Sequence, residues 1–309
     1  MGYLETQWQR GRKIYGKRSW RETRRTFLHT MRSIRNKREI EALESYFASY
    51  TPDPTLLDRQ VGLFELMTRY FLFKSSTPQE RLEAIINHFD YLKDVFTDEA
   101  IREMYSVDPD NIYDDVSRMN RGFIVWESED LDMVARLYYG PGQRKEGFLT
   151  LLLTLGKQGV YHANFRLGKG FNGEPAMWIG TIQGYKDGLD NAKTVTKKMF
   201  GYRPKNFIMF LLRHIAVLCK VESIYAVSDE GFYANTHLVR GHRAKVAELD
   251  PLWEESGGVV CSDDRFFNIP LEEYRKPIEE IKSQKRSQYR KRYELLDQYE
   301  QEIQDHLKP

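Results

Sequence analysis

Met177-Trp-Ile-Gly-Thr-Ile-Gln-Gly184, then Pro204 to Lys220, then Ser223-Ile-Tyr-Ala-Val-Ser-Asp-Glu-Gly231 is the stretch on which the fold turns. Ile179 and Thr181, flanked by Trp178 and Ile182, suit a buried pleated strand. A polar loop follows Gly184. Pro204 suits the first position of a helix, where its fixed φ helps and its missing donor costs nothing. Phe207 to Val221 is apolar on most faces, which predicts a helix wrapped by protein. Ile224 to Val227 reads as a second apolar strand. A strand, a buried crossover helix and another strand make a parallel βαβ-type unit. Such units place ligands at the carboxyl ends of their strands. Here those ends are Gln183-Gly184 and Ser228-Asp229-Glu230-Gly231.

Upstream of this unit the period of the apolar residues is 2. Phe123–Trp126, Leu131–Tyr139, Gly147–Leu155 and Val160–Leu167 read as strands joined by short glycine turns, an antiparallel meander. Further upstream the period is helical. Residues 1–50 carry a stripe at Trp20, Phe27, Met31 and Ile34, continued by Ile40, Leu43 and Phe47. Leu56 to Phe73 reads as one mostly apolar helix. Ser75-Ser-Thr-Pro78 marks a helix start, with Pro78 near the first turn and Glu80 favouring the dipole, and residues 79–104 read as helical with a break near Thr97-Asp98. Downstream, Leu249 to Ser256 is a short helix closed by Gly257-Gly258, Phe266 to Leu271 a short strand, and a last helix begins near Ser283 with a stripe at Tyr289, Tyr293, Leu296, Tyr299 and Ile303. The expected fold class is α+β: a helical N-terminal half, then a meander extended into a mixed sheet by the βαβ-type unit, then a C-terminal helix. The expected domains are a helical region with a basic arm over residues 1–118 and a sheet domain over 119–309.

Composition sets limits on function. With 41% hydrophobic and 13% aromatic residues in 309, the chain can bury a large core. Two cysteines argue against a disulfide scaffold, and Cys219 lies on the apolar helix as a core residue. The N-terminus lacks the pattern of a secretory signal, and Phe207 to Val221 is too short to span a bilayer. The expectation is a soluble, cytoplasmic protein, with peripheral attachment to the inner membrane left open. The net charge of +2 hides a segregation: residues 1–40 hold 12 Lys/Arg against 3 Glu, and residues 79–132 hold 5 Lys/Arg against 15 Asp/Glu. Near-cancellation predicts that the basic arm packs on the acidic stretch, and argues against a nucleic-acid-binding arm.

Signatures of chemistry are few. There is no G-x-S-x-G elbow, no phosphate-binding glycine loop and no set of His, Cys and carboxylates spaced for a metal. Ser228, Glu230 and His237 at a strand end allow a nucleophile and an acid/base pair, but Ser-Asp-Glu-Gly is also ordinary turn chemistry. Lys285, Arg286, Arg290, Lys291 and Arg292 crowd the first half of the last helix, where cations oppose the helix dipole. Two readings stand side by side: an anion site for phosphate, pyrophosphate or an acidic lipid headgroup, built from Lys285, Arg286, Arg290 and Arg292, or pairing with the acidic stretch.

Several ordered motifs carry a resemblance. Glu146-Gly-Phe-Leu-Thr-Leu151, Trp178-Ile-Gly-Thr-Ile-Gln-Gly184, Arg203-Pro-Lys-Asn206, Val227-Ser-Asp-Glu-Gly231, Leu252-Trp-Glu-Glu-Ser-Gly-Gly258 and Arg275-Lys-Pro277 through Tyr293 resemble the VirK/YbjX family of Gram-negative bacteria over about residues 25–300. The resemblance implies a cytoplasmic protein linked to virulence and to envelope or antimicrobial-peptide stress, with no established reaction. The order of elements is also similar to that of GNAT-type N-acyltransferases. That similarity implies an acyl-CoA cofactor with its pyrophosphate near the end of the 177–183 strand, contacted by Gln183, Gly184, Lys186 and Asn206. Glu230 or His237 would then act as general base toward an amine or hydroxyl. The R-x-x-G-x-G/A motif of those enzymes is missing at Gly184-Tyr-Lys-Asp-Gly188.

Overall fold

The computed structural model describes residues 2–106, 122–185, 188–235 and 248–306. Its centre is an eight-stranded mixed sheet in the order β1-β2-β3-β4-β5-β6-β8-β7. The strands are β1 (Phe123–Ser128), β2 (Met133–Tyr138), β3 (Leu149–Leu155), β4 (Gln158–Lys169), β5 (Pro175–Gly184), β6 (Ser223–Val227), β7 (Val259–Val260) and β8 (Phe266–Ile269). β1 to β5 form the antiparallel meander, and β5 pairs parallel to β6 from Ala176↔Ser223 to Ile179↔Ala226. The α+β expectation holds, including the mixed sheet and the parallel pair. The edge strand β7 is two residues long, too short for a periodic pattern, which is why pattern alone misses it.

Eleven helices are described. Seven precede the sheet: α1 (Tyr3–Tyr15), α2 (Trp20–Arg35), α3 (Lys37–Ala48), α4 (Leu56–Arg59), α5 (Phe64–Thr68), α6 (Pro78–Val95) and α7 (Asp98–Met104). Ser19 and Thr77 open α2 and α6 with complete capping boxes, using Glu22 and Glu80. Thr97 caps α7, so the break near Thr97-Asp98 is where the spacing puts it. The single helix expected over Leu56–Phe73 is not formed. It is α4, a 3₁₀ turn, α5 and an irregular strap with positive φ at Leu72 and Ser75. The strap is held by tertiary bonds: the Leu72 amide donates to the Lys145 carbonyl and the Lys74 amide to that of Gly231, both at 2.7 Å. Those bonds override the local helical period. The loop between β5 and the buried helix contains α8 (Leu189–Lys198). Then come α9 (Pro204–Leu218), α10 (Asp250–Glu255) and α11 (Ser283–His306). The 118/119 boundary lies outside the described residues. One continuous apolar core runs from Ile40 on α3 through the sheet to Ile303 on α11.

The helical and sheet parts are joined by a buried relay. The Leu167 amide of β4 donates to His88 Nδ1 of α6 at 3.0 Å, so Nδ1 is the acceptor and Nε2 carries the proton. Nε2 meets the Tyr105 hydroxyl at 2.9 Å, and that hydroxyl donates to the Phe148 carbonyl before β3 at 2.9 Å. Burial pushes the His88 imidazole down to about 3.

β5 carries a bulge at Gly180: Asn164 faces Thr181 and Phe165 faces Ile179. A side chain at Gly180 would overlap the Glu146 carbonyl, and one at Gly147 would sit 2.5 Å from the Phe165 nitrogen. Only glycine lets the 146–147 segment cross the bulge.

Two outcomes follow from these packings. His88 is uncharged when folded but titrates near 6.5 when unfolded. The contribution of His88 to stability should therefore be constant above about pH 6.5 and be lost as pH drops toward 3, on the order of 4 kcal/mol in all. Denaturant melts of His88→Leu should show a loss of roughly 1–3 kcal/mol at pH 7 and a shallower acid slope than the native chain. An unchanged acid slope would exclude His88 as the source. Gly180→Ala should cost roughly 1–3 kcal/mol by overpacking, whereas Gly142→Ala, with nothing within 4 Å of a new Cβ, should be near neutral.

Candidate functional site

α9 is the helix that the pattern wraps in protein, and Phe207 to Arg213 are all buried. Arg203 caps it without a side-chain bond, Pro204 occupies its first position, and no acidic residue stands in its first turn. That leaves a positive helix end facing outward. Met199 to Tyr202 turns tightly in front of it, with Phe200 and Gly201 at positive φ. A side chain on Gly201 would come within 2.8 Å of Gln288 Nε2 and 3.0 Å of Arg292 Nη2, so glycine is what lets α11 approach. Between α9, α11, the end of α10 and the 273–276 segment lies a cavity of about 520 Å³.

Five cations line it: Arg203, Arg275, Lys276, Lys285 and Arg292, against Glu255 and Glu273. Their commitments differ. Glu255 is paired to Lys205 and reaches Arg203 only at 3.8 Å. Arg275 is paired to Asp297. Arg292 donates to the Phe200 carbonyl at 3.2 Å (Nε) and 2.9 Å (Nη2) and stacks 4.1 Å over the Tyr289 ring. Lys276 and Lys285 have no ion pair among the described residues. The Tyr202 hydroxyl donates to Glu273 Oε1 at 2.7 Å, and burial beside that carboxylate holds its proton far above the usual tyrosine range. Asn206 Oδ1 and Glu273 Oε2 are buried acceptors without a partner. A second hollow of about 590 Å³ continues past Arg203 and Gln288 along α8, over Tyr161, Leu189, Lys193 and Lys197.

Of the residues singled out from sequence, Asn206, Lys285 and Arg292 meet here. Arg286 does not: it turns back to donate to the carbonyls of Ile281 and Glu279, each at 2.9 Å. Arg290 is exposed and outside the cavity lining. Gln183 and Gly184 line neither hollow. Lys186 and His237 lie outside the described residues. Glu230 is exposed and paired with Lys74, and Ser228 Oγ donates to the Asp264 carbonyl at 2.7 Å while accepting from the Gly231 amide at 2.9 Å. The 228–231 turn is thus structural in its bonding. Asp229 belongs to it: its amide donates to Asp250 Oδ1 and its own carboxylate accepts from the Leu249 amide. Cys219 is buried and its thiol is pushed up to about 12, which removes it as a nucleophile.

One group escaped sequence reasoning. Thr150, Asn164 and Thr181 stand in register on one face of β3, β4 and β5, with His162 opposite Gln183 two residues along. Asn164 Nδ2 donates to Glu146 Oε2 and Thr150 Oγ1 donates to Asn164 Oδ1, both at 2.9 Å. Burial pushes the Glu146 carboxyl up to about 7, within the range of a general acid or base. Both ring nitrogens of His162 lack a partner, and burial lowers that imidazole to about 4. The available signal was three polar residues alternating inside apolar strands, which periodicity scores as noise.

Comparison with known proteins agrees with the motifs. Residues 18–305 match the family described as protein of unknown function (DUF535). The chain is similar to the uncharacterized protein YbjX of Escherichia coli, 28% identical over 257 residues, covering 78% of this chain and 71% of that one. It is also similar to two uncharacterized proteins of Haemophilus influenzae. One is 30% identical over 166 residues, 52% of this chain and 53% of that one. The other is 23% identical over 313 residues, 97% of this chain and 96% of that one. No solved structure matches. With its match spanning nearly the whole chain and YbjX among its relatives, the protein belongs to the DUF535 family, the assignment to which the VirK/YbjX motifs pointed.

Proposed function

We propose that the protein binds a phosphate ester in the cleft at the start of α9. The observation that carries this reading is a convergence of cations that the fold does not neutralise. Lys276 and Lys285 have no ion pair among the described residues, and Arg203 shares a carboxylate already taken by Lys205. They face a helix start with no acidic cap. Like charges gathered without partners destabilise the folded chain, and an anion offsets that cost. The unpartnered acceptors Asn206 Oδ1 and Glu273 Oε2 add a second requirement. The ligand presents a hydroxyl or amide N–H beside its phosphate.

Two sources supply such a group. A CoA-type acyl donor is what the GNAT-like order of elements calls for, with transfer to an amine or hydroxyl as the reaction. A phospholipid headgroup fits the link to virulence and envelope stress that the VirK/YbjX resemblance implies. Thermal midpoints with CoA, acetyl-CoA, glycerol 3-phosphate and glycerophosphoglycerol separate them. Ligand at about 100 times its dissociation constant should add roughly 2.7 kcal/mol. A shift with the CoA compounds alone selects the acyl donor, and a shift with the glycerol compounds alone selects the headgroup. Either shift should vanish in Arg203→Glu/Lys285→Glu, whose surface changes leave the core intact. No shift with any of the four compounds overturns the proposal.

A further inference from the structure

α2 is built inside out. Its apolar side chains Trp20, Phe27, Met31 and Ile34 are 81%, 51%, 40% and 48% exposed, while Thr26, His29, Thr30 and Ser33 are buried. A surface helix ordinarily turns its apolar stripe to the core. Here the polar face does the packing. Gly11 of α1 lets that helix approach until a side chain there would lie 2.9 Å from Thr26 Cγ2, and Tyr3 donates to the Ser33 carbonyl at 2.8 Å. On the other side His29 Nδ1 meets Thr68 Oγ1 at 2.9 Å and Asn36 Nδ2 donates to the Met67 carbonyl at 2.6 Å. The hairpin is therefore fixed to the body of the protein by polar contacts that leave the apolar stripe outside. α1 adds Leu4 and Trp8, exposed one turn apart.

The same surface is strongly basic. Arg21, Arg24, Arg35 and Arg38 are exposed and make no ion pair among the described residues. Arg24 and Arg35 lie three or four residues from Phe27 and Met31, hence on the adjoining ridge of the helix. The expected packing of the arm on the acidic 79–132 stretch is not found among the described residues: the arm's ion pairs there are Arg10–Glu44 and Lys37–Glu41. An apolar stripe with an aromatic at one end, bordered by arginines, is the pattern of a helix lying in the boundary of a bilayer. A lipid surface answers both halves at once, since acyl chains cover the stripe and anionic headgroups take the arginines. A second copy answers only one half, because two arms of +9 each would oppose each other across the axis.

From this polarity we infer that the α1–α2 hairpin docks the protein on an anionic membrane surface, with Trp20, Phe27, Met31 and Ile34 entering the headgroup boundary. This stands apart from the α9 cleft, which involves none of these residues. The test is co-sedimentation of the full chain with vesicles of phosphatidylcholine, alone or with about one-third phosphatidylglycerol. Binding is expected only to the anionic vesicles and should weaken as salt rises. Trp20→Ser/Phe27→Ser should reduce the bound fraction about tenfold or more, and Arg24→Gln/Arg35→Gln by several-fold, both with native thermal midpoints. The cleft variant Arg203→Glu/Lys285→Glu should bind as the native chain does. Absence of binding, binding unchanged by Trp20→Ser/Phe27→Ser, or binding lost through the cleft variant alone overturns the inference. So does a self-association in sedimentation that Trp20→Ser/Phe27→Ser abolishes, which would assign the stripe to a second copy.

Discussion

His88 can serve the Leu167 amide and the Tyr105 hydroxyl together only as the neutral tautomer with its proton on Nε2. That requirement ties four pieces of chain into one arrangement: α6, the end of α7, the entry to β3 and the last residues of β4. Tyr105 is held from its other sides as well. Arg59 Nη1 donates to its carbonyl at 3.2 Å and its ring stacks on Tyr139 at 5.3 Å. The seven N-terminal helices thus meet the sheet through a directional contact as well as an apolar one. Apolar packing alone tolerates sliding, whereas a fully buried relay with each proton assigned does not. The bulge at Gly180 lies close by in the same layer. It needs the 146–147 segment at one height, and the Phe148 carbonyl that ends the relay is one residue further on.

Much of this architecture was legible because the relevant signals are local. The helix start at Ser75–Pro78, the break at Thr97, the meander and the buried crossover helix all express themselves within a few residues, whereas the capping box at Ser19 was not singled out. The failures are cases where distant chain decides. Leu56–Phe73 has the composition of a helix, yet bonds from Leu72 and Lys74 to the carbonyls of Lys145 and Gly231 pull it into a strap. α8 is a polar helix inside what reads as a loop, since its one buried side chain, Val195, gives no stripe. The α2 stripe was found correctly as a stripe, but periodicity reports which residues share a face and not which way that face points.

The candidate site was legible only in fragments, for the same reason. Its lining comes from 201–206, 255, 273–276 and 285–296, so no window of sequence contains it. The unusual basic block was a true signal with a mixed cause. Within eight residues, Arg286 turns back to bond the preceding carbonyls and Arg292 braces the Phe200 turn, while Lys285 is left for the cleft. Charge density on a helix cannot separate these roles, because they depend on which carbonyls stand nearby.

The buried stripe of Thr150, Asn164, Thr181 and Glu146 sets a different kind of constraint. Each polar group taken from water costs free energy unless its bonds are replaced, and the Thr150–Asn164–Glu146 chain replaces them one by one. Burial raises the Glu146 carboxyl to about 7 although Asn164 donates to it, so it titrates near neutral pH. An apolar triplet would stabilise the sheet more simply. The polar one persists where the Glu146–Gly147 segment crosses the bulge, beside the point where β5 leaves its parallel partner β6 after Ile179. In a parallel unit the point of separation is where neighbouring strands stop pairing, so Glu146 stands beside the end of the β5–β6 ladder.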